Sequence, residues 1–168
     1  MKRLFFLCLF LLVSMTGLNI AGAATPCSSL GTRLSAAEIT NAFKDQLICA
    51  QKMGAISGND RWSEEHRASG ELWEQGRGTT SKIHPPTKVG AWKAVEVTKG
   101  KGKGEVKSPV EDLVRYDYSG GSSFSWSVYE KNVSGTKTYT FCDSTETKVI
   151  ATATIKAPNP SSTNACGF

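Results

Sequence analysis

The sequence predicts a single, mainly β domain: an antiparallel up-and-down β-barrel of about eight strands with a short N-terminal helix. Three observations favour it. Short segments of alternating apolar and polar residues recur along the chain, and this period places one set of side chains on one strand face. Gly, Ser, Asn and Pro residues lie between the segments and supply turns. The segments are short and evenly spaced, and closing them into a barrel removes exposed edges. An open β-sandwich is the alternative.

The first 23 residues have the organisation of an export signal. Lys2 and Arg3 precede an apolar run at 4–13, and small residues offer cleavage after Ala23, with cleavage after Ala24 as the alternative. The apolar run is too short for a stable membrane span. We therefore expect a secreted or periplasmic protein. Its expected parts are a signal peptide at 1–23, a lead-in at 24–33, a barrel domain at 34–155 and a disulfide-tethered tail at 156–168.

The net charge is mildly positive. The full chain carries a formal charge of +5, and loss of Lys2 and Arg3 lowers it to about +3. No nucleic-acid partner is expected from so small a charge. Asn132 begins a glycosylation sequon, which matters only in a eukaryotic source. A glycine-rich basic loop could contact an anionic surface, although a solvated turn is the simpler interpretation; its lysines are Lys99, Lys101, Lys103 and Lys107.

Four of the five cysteines remain after the leader is removed. An even number in an exported chain favours disulfide bonds over a metal site, and no pair has the C-x-x-C spacing. Four cysteines allow three pairings. We expect Cys27–Cys166, which joins the two termini, and Cys49–Cys142, which joins the first strand to a late strand.

A short helix is expected near residue 35. Ser35 and Glu38 have the spacing of a capping box. Ile39, Phe43 and Leu47 recur every four residues and form one narrow apolar stripe. This helix is expected to pack one face against the barrel.

The clearest strand pair is the hairpin within 113–130. Apolar residues alternate on both sides of a Ser- and Gly-rich turn, and one register places Tyr116 opposite Trp126 and Tyr118 opposite Phe124. A second hairpin is expected around a turn at Ala68-Ser69-Gly70. The eight expected strands are 47–51, 61–66, 71–75, 89–97, 114–118, 124–128, 138–142 and 149–155.

Several short pieces follow one another between residues 34 and 155. They are Leu34-Ser35-x-x-Glu38-Ile39, Cys49, Asp60-Arg61-Trp62-x-Glu64-x-His66, Gly70-x-Leu72, Lys88-Val89-Gly90-x-Trp92, Tyr116-Asp117-Tyr118 and Phe141-Cys142. In this order they resemble a set of small exported bacterial proteins of uncharacterised function with lipocalin-like or avidin-like barrels. The resemblance implies a barrel fold and brings no established activity.

The densest polar cluster lies at 61–67. On a strand, Glu64 and His66 share a face with Trp62, and such a pair can act as acid and base if a pocket desolvates it. The simpler interpretation leaves at least one of the two largely exposed to water. A metal site would need a third ligand, and no spacing matches a known pattern, so neither a metal nor a cofactor is expected. The motifs G-x-S-x-G and H-E-x-x-H do not occur.

Many aromatic residues fall on the predicted inner face. They either fill the barrel or line a cavity, because a barrel of about eight strands can hold one small molecule. The leading hypothesis is a non-enzymatic protein that binds a small apolar ligand or a protein partner. The alternatives are an inhibitor of an extracellular hydrolase, acting through a loop at 76–86 or 99–107, and an enzyme using Glu64 and His66. The candidate ligand-binding residues are Trp62, Glu64, His66, Trp92, Tyr116 and Trp126.

Overall fold

The computed structural model describes residues 27–54, 60–77, 85–98, 110–158 and 166–167. Within these ranges the chain forms a short 3₁₀ helix at Cys27–Ser29, one α-helix, α1, at Ala36–Phe43, and nine strands. The strands are β1 (Thr32–Arg33), β2 (Gln46–Lys52), β3 (Arg61–His66), β4 (Glu71–Arg77), β5 (Thr87–Thr98), β6 (Val110–Tyr118), β7 (Ser123–Val133), β8 (Thr136–Cys142) and β9 (Val149–Lys156).

Strands β2 to β9 form a closed antiparallel barrel. Each of these strands pairs with the next one along the chain, and β9 pairs with β2 to complete the circle. The two-residue β1 pairs with the barrel strand β7 and is not itself part of the closed barrel. The predicted eight-stranded up-and-down barrel is therefore confirmed, and the open sandwich is wrong.

The two ends of the barrel differ. At one end, the helix end, α1 leads into β2 and buries Ile39 and Phe43 completely. The Phe43 ring contacts the rings of His66, Tyr139 and Phe141, with centroids 5.5 to 5.8 Å apart. The opposite end, which we call the mouth, is where β2 ends, β3 begins and a turn joins β6 to β7. Within the described residues, helix α1 thus packs over one end of the barrel, and no helix packs over the mouth.

The start of α1 follows the predicted capping box. The Glu38 carboxylate accepts the backbone N–H of Ser35 at 2.8 Å, and the Ser35 hydroxyl accepts the N–H of Glu38 at 3.3 Å. The expected apolar stripe is wrong in its last member, because the helix ends at Phe43 and Leu47 is a buried residue of β2. The break follows from Asp45, whose φ of 56° is incompatible with a right-handed helix.

The central hairpin differs from the expected register by two residues. Val114 pairs with Trp126 and Tyr116 with Phe124, so the predicted pairing of Tyr116 with Trp126 is wrong. A shift of two keeps each side chain on its predicted face. The rings of Tyr116 and Trp126 consequently remain diagonal neighbours, with centroids 5.2 Å apart.

The turn of this hairpin explains the shift. The N–H of Tyr118 donates to the carbonyl of Ser122 at 2.8 Å, and the N–H of Gly121 donates to the carbonyl of Tyr118 at 2.9 Å. Gly121 has a φ of 86°, which glycine adopts without strain. The turn is therefore tighter than the expected one, and β7 begins at Ser123.

The disulfide bonds join Cys27 to Cys142 and Cys49 to Cys166, so both expected pairings are wrong. The reason is that β9 lies between β2 and β8 in the closed barrel. Cys49 pairs with Thr154 of β9 and Cys142 with Val149, which puts the two cysteines about 17 Å apart along the strand direction. A disulfide bridges Cα atoms only about 4.4–6.8 Å apart.

The second hairpin, formed by β3 and β4, is confirmed, although β4 continues to Arg77 into the expected loop. No helix within the described residues is long and apolar enough to cross a membrane. The signal peptide at 1–23, the basic loop with its lysines, and most of the loop at 76–86 lie outside the described residues. The inhibitor hypothesis depends on these two loops and stays a prediction.

Candidate functional site

The mouth of the barrel contains a cavity of about 430 Å³. This volume lies within the range typical of small-molecule sites. The wall is formed by residues from five strands and from the turn between β6 and β7. Four of the lining residues are aromatic: Trp62, Tyr118, Phe124 and Trp126. The others are Lys52, Glu64, Ser122 and Ile150.

The aromatic wall is held by ring contacts along the β6–β7 hairpin. The Phe124 and Trp126 rings stack with centroids 5.6 Å apart, and Phe124 meets Tyr118 edge-on at 6.0 Å. Phe124 is 45% exposed, whereas Trp126 is half-buried. The exposed face of Phe124 beside the cavity is an apolar surface against which a flat apolar molecule can pack.

Among the described residues that line this cavity, Glu64 is the acidic one. It is only 3% exposed, and its Oε1 accepts the hydroxyl hydrogen of Tyr118 at 2.9 Å. Burial of a carboxylate costs free energy unless hydrogen bonds or opposite charges stabilise it. The pairing of β3 with β4 shifts between Ser63 and Glu64, and such bulges are frequent beside functional sites.

His66 lies one layer deeper and is fully buried. Its Nδ1 lies 3.2 Å from the carbonyl oxygen of Glu64 and its Nε2 lies 3.0 Å from the hydroxyl of Tyr116. Because a carbonyl only accepts, Nδ1 carries the proton and Nε2 accepts from Tyr116. Burial lowers the pKa of His66 to about 3, so the ring is neutral near pH 7. Burial, together with the charge of Glu64, raises the pKa of Tyr116 well above its usual range.

The structure divides the six predicted ligand-binding residues into two layers. The upper layer lines the cavity and consists of Trp62, Glu64 and Trp126. The lower layer is buried beneath it and consists of His66, Trp92 and Tyr116. A ligand in the cavity would therefore contact the upper layer, and the residues of the lower layer lie buried beneath it.

The expectation that Glu64 or His66 is largely exposed is wrong. Both side chains point into the barrel with Trp62, because alternate residues of β3 share one face and the closed barrel buries it. His66 does not line the cavity, and its two ring nitrogens already have partners inside the protein. The pair consequently does not form the shared acid–base cleft that the enzyme hypothesis requires.

Two aromatic residues of the cavity, Tyr118 and Phe124, were not among the predicted ligand-binding residues. The sequence did contain a signal for them. Each lies two positions closer to the β6–β7 turn than a predicted residue on the same face, Tyr116 and Trp126 respectively. Residues nearest a turn at the mouth form the rim of a barrel. Lys52 had no such signal, because both faces of β2 are apolar at 47–50 and the sequence does not show which of them points into the barrel.

Two further cavities lie away from the mouth. One, of about 370 Å³, lies on the outer face of β8 and β9 and is lined by residues such as Leu30, Met53 and Val149. The other, of about 600 Å³, lies at the helix end between Ala42 and Lys137. The described residues of these two cavities include no buried carboxylate or imidazole. Across the described part of the chain, no three potential metal ligands cluster.

Comparisons of the chain with protein-family models, with curated proteins and with solved structures find no match. The fold class consequently rests on the strand pairing itself. The chain is a closed eight-stranded antiparallel barrel with an aromatic cavity at its mouth.

Proposed function

We propose that the protein is a non-enzymatic binding protein that holds a small, largely apolar ligand in the mouth of its barrel. We further propose that it works outside the cytoplasm after export. The observation that carries the first proposal is the cavity of about 430 Å³ whose wall contains four aromatic side chains.

The size of the cavity sets the affinity that can be expected. A flat ligand of about 15 heavy atoms, at about 0.3–0.5 kcal/mol per atom, would gain about 4.5–7.5 kcal/mol. This corresponds to a dissociation constant of roughly 3 to 500 µM. The prepacked rings favour binding, because the stacked Phe124 and Trp126 need little ordering when a ligand enters.

Export is supported by the chemistry of the cysteines. The structure contains two disulfide bonds, Cys27–Cys142 and Cys49–Cys166. Disulfide bonds persist in oxidising compartments and are rare in the reducing cytosol. Together with the signal-like leader at 1–23, they support a secreted or periplasmic location. Detection of the protein, lacking its leader, in the extracellular or periplasmic fraction would test this location.

A fluorescence titration with N-phenyl-1-naphthylamine tests the binding site. We expect saturable binding with a dissociation constant of tens of micromolar, and at least five-fold weaker binding for Trp126→Ala. The matched control is Trp73→Ala, because Trp73 packs against the Arg67 guanidinium on the outer face of the barrel and does not line the cavity. Equal binding by both variants, or no binding to the wild-type protein, would contradict the proposal.

Native mass spectrometry of protein isolated from its own compartment offers an independent check. A retained small molecule that is lost in Trp126→Ala and kept in Trp73→Ala would support the mouth as the binding site. Retention of the same molecule by both variants would place the ligand elsewhere.

A further inference from the structure

We propose that Cys166 is a site of thiol–disulfide exchange, at which a small external thiol opens the bridge to Cys49 and becomes bound as a mixed disulfide. This chemistry is independent of the cavity at the mouth. It follows from a difference between the two disulfide bonds, because one is completely buried and the other is partly exposed.

The bridge between Cys27 and Cys142 is protected on both sides. Both cysteines are 0% exposed, and they pack in one apolar cluster with Tyr129 and Val149. The backbone N–H of Cys27 also donates to the carbonyl of Glu146 at 3.3 Å, which holds this segment in place. A thiolate must reach a sulfur atom to attack it, so this bridge reacts only when the surrounding structure opens.

The bridge between Cys49 and Cys166 is protected on one side only. Cys49 is 4% exposed within β2, whereas Cys166 is partly exposed and lies in a turn outside the helices and strands. Within the described residues, no hydrogen bond joins Cys166 to another part of the chain. Segments with few contacts open locally at a low cost in free energy. The sulfur of Cys166 is therefore the one that an external thiolate reaches first.

The lengths of the two closed loops do not distinguish the bridges. The joined cysteines are 115 and 117 residues apart in the sequence. In the chain-entropy model, loops of nearly equal length stabilise the folded chain by nearly equal amounts. A difference in reactivity between the two bridges consequently reports the difference in their burial.

The exchange step conserves atoms and electrons. The thiolate of the external thiol attacks Sγ of Cys166, a new S–S bond forms, and the bond from Cys166 to Cys49 breaks. Cys49 leaves as a thiolate and takes up a proton from water. A second external thiolate can then attack the small-thiol sulfur of the mixed disulfide, which releases the oxidised small thiol and leaves both cysteines reduced.

The barrel should stay closed when this bridge opens. Strand β2 keeps six paired residues with β3 and six with β9, and neither pairing involves Cys166. The neighbours of Cys49 in β2, Ile48 and Ala50, belong to the core, so Cys49 lies on the opposite, outer face of the strand. The modification therefore adds a small thiol to the outside of the protein and leaves the core packing in place.

Timed treatment of the native protein with reduced glutathione at neutral pH tests the inference. Acid stops the exchange, N-ethylmaleimide labels free thiols, and mass spectrometry of tryptic peptides locates each label. We expect the Cys49–Cys166 bridge to open roughly ten-fold or more faster than Cys27–Cys142, because only the latter needs a larger opening of the structure. Glutathione should be found on Cys166, and the near-ultraviolet circular dichroism should change little.

Two controls separate burial from the intrinsic reactivity of the cysteines. In concentrated guanidinium chloride both bridges are accessible and close loops of similar length, so they should open at similar rates. The double variant Cys49→Ser and Cys166→Ser should lack the rapid reaction and keep the slow opening of Cys27–Cys142.

The comparison within the native wild-type protein decides the proposal even if the double variant fails to fold. Equal rates for the two bridges, faster opening of Cys27–Cys142, or resistance of both bridges to glutathione would overturn it. Glutathione found on Cys49 instead of Cys166 would also overturn it. A rate ratio that persists in guanidinium chloride would trace the difference to intrinsic reactivity and would contradict the role of burial.

Discussion

Removal of the imidazole at His66 should reduce the loss of unfolding free energy that the protein undergoes as the pH falls below about 6.5. His66 is fully buried, and burial lowers its pKa from 6.5 to about 3. Because the folded-state pKa lies below the unfolded value, the unfolded chain takes up the proton more readily. The stabilisation is complete above about pH 6.5 and is lost as the pH falls from 6.5 towards 3.

The size of the effect follows from those two pKa values. Between pH 7.5 and pH 5, one histidine with a pKa of 6.5 unfolded and about 3 folded reduces the free energy of unfolding by about 2 kcal/mol. Carboxylates such as Glu38 and Glu71, whose pKa values are lowered from 4.5, act mainly below this window. The window from pH 7.5 to pH 5 therefore lies above the range in which these two carboxylates act.

Urea unfolding at several pH values measures this difference. His66→Gln keeps an amide that can donate and accept in place of the ring, and it should lose about 2 kcal/mol less than the wild-type protein over the window. Every other titratable group is present in both chains, so the difference between the two pH profiles reports the effect of the histidine. His84→Gln removes the other histidine of the chain, and comparison of its pH profile with that of His66→Gln separates the contributions of the two residues. Parallel pH profiles for the wild-type protein and His66→Gln would refute the reasoning.

Two further predictions concern the core and the covalent frame. Phe43→Ala should cost about 3–5 kcal/mol of unfolding free energy, because the ring is fully buried at the helix end. Phe124→Ala at the exposed rim should cost clearly less, and equal losses in urea unfolding would contradict this. Trypsin digestion of unreduced protein should join the peptide at 45–52 to that at 157–168, and a link from 45–52 to 138–148 would contradict the observed pairing.

The strands and their faces could be predicted because both depend on local alternation. Every predicted strand has a counterpart within a few residues, and Trp62, Glu64 and His66 share one face as expected. The burial of Glu64 and His66 was missed because polar residues usually face water. The sequence did indicate their burial, because both residues lie on the same strand face as Trp62. The polar residues at 61, 63 and 65 lie on the other face.

The register of the central hairpin depends on the turn, which the alternation does not specify. Shifting β7 by two residues leaves Tyr116, Phe124 and Trp126 on the same face, so the hydrophobic pattern fits both registers equally well. A turn made only of Ser and Gly can close at several points. The choice between them lies in backbone hydrogen bonds such as that from Tyr118 to Ser122.

The disulfide pairing could not be predicted from proximity in the strand order alone. Cys49 and Cys142 lie in the first and second-to-last strands of the barrel, and the closure places β9 between them. Only the three-dimensional pairing of β9 with both neighbours shows that these cysteines are too far apart. The predicted closed barrel already implied that its eighth strand lies between the first and the seventh, and applying this to the cysteines would have excluded Cys49–Cys142 and left two pairings.

The position of Glu64 is the strongest link between the fold and the proposed function. Glu64 is 3% exposed at an inward position of β3, and burial of a carboxylate costs free energy that partners such as the Tyr118 hydroxyl must offset. At the helix end, by contrast, Phe43 and its neighbours fill the barrel without any charge. A departure from favourable packing at one place, beside a cavity and a strand bulge, is the pattern expected of a functional site. Glu64→Leu removes the carboxylate from the cavity wall and should therefore change the affinity for N-phenyl-1-naphthylamine, whereas an unchanged affinity would contradict a role of Glu64 in binding.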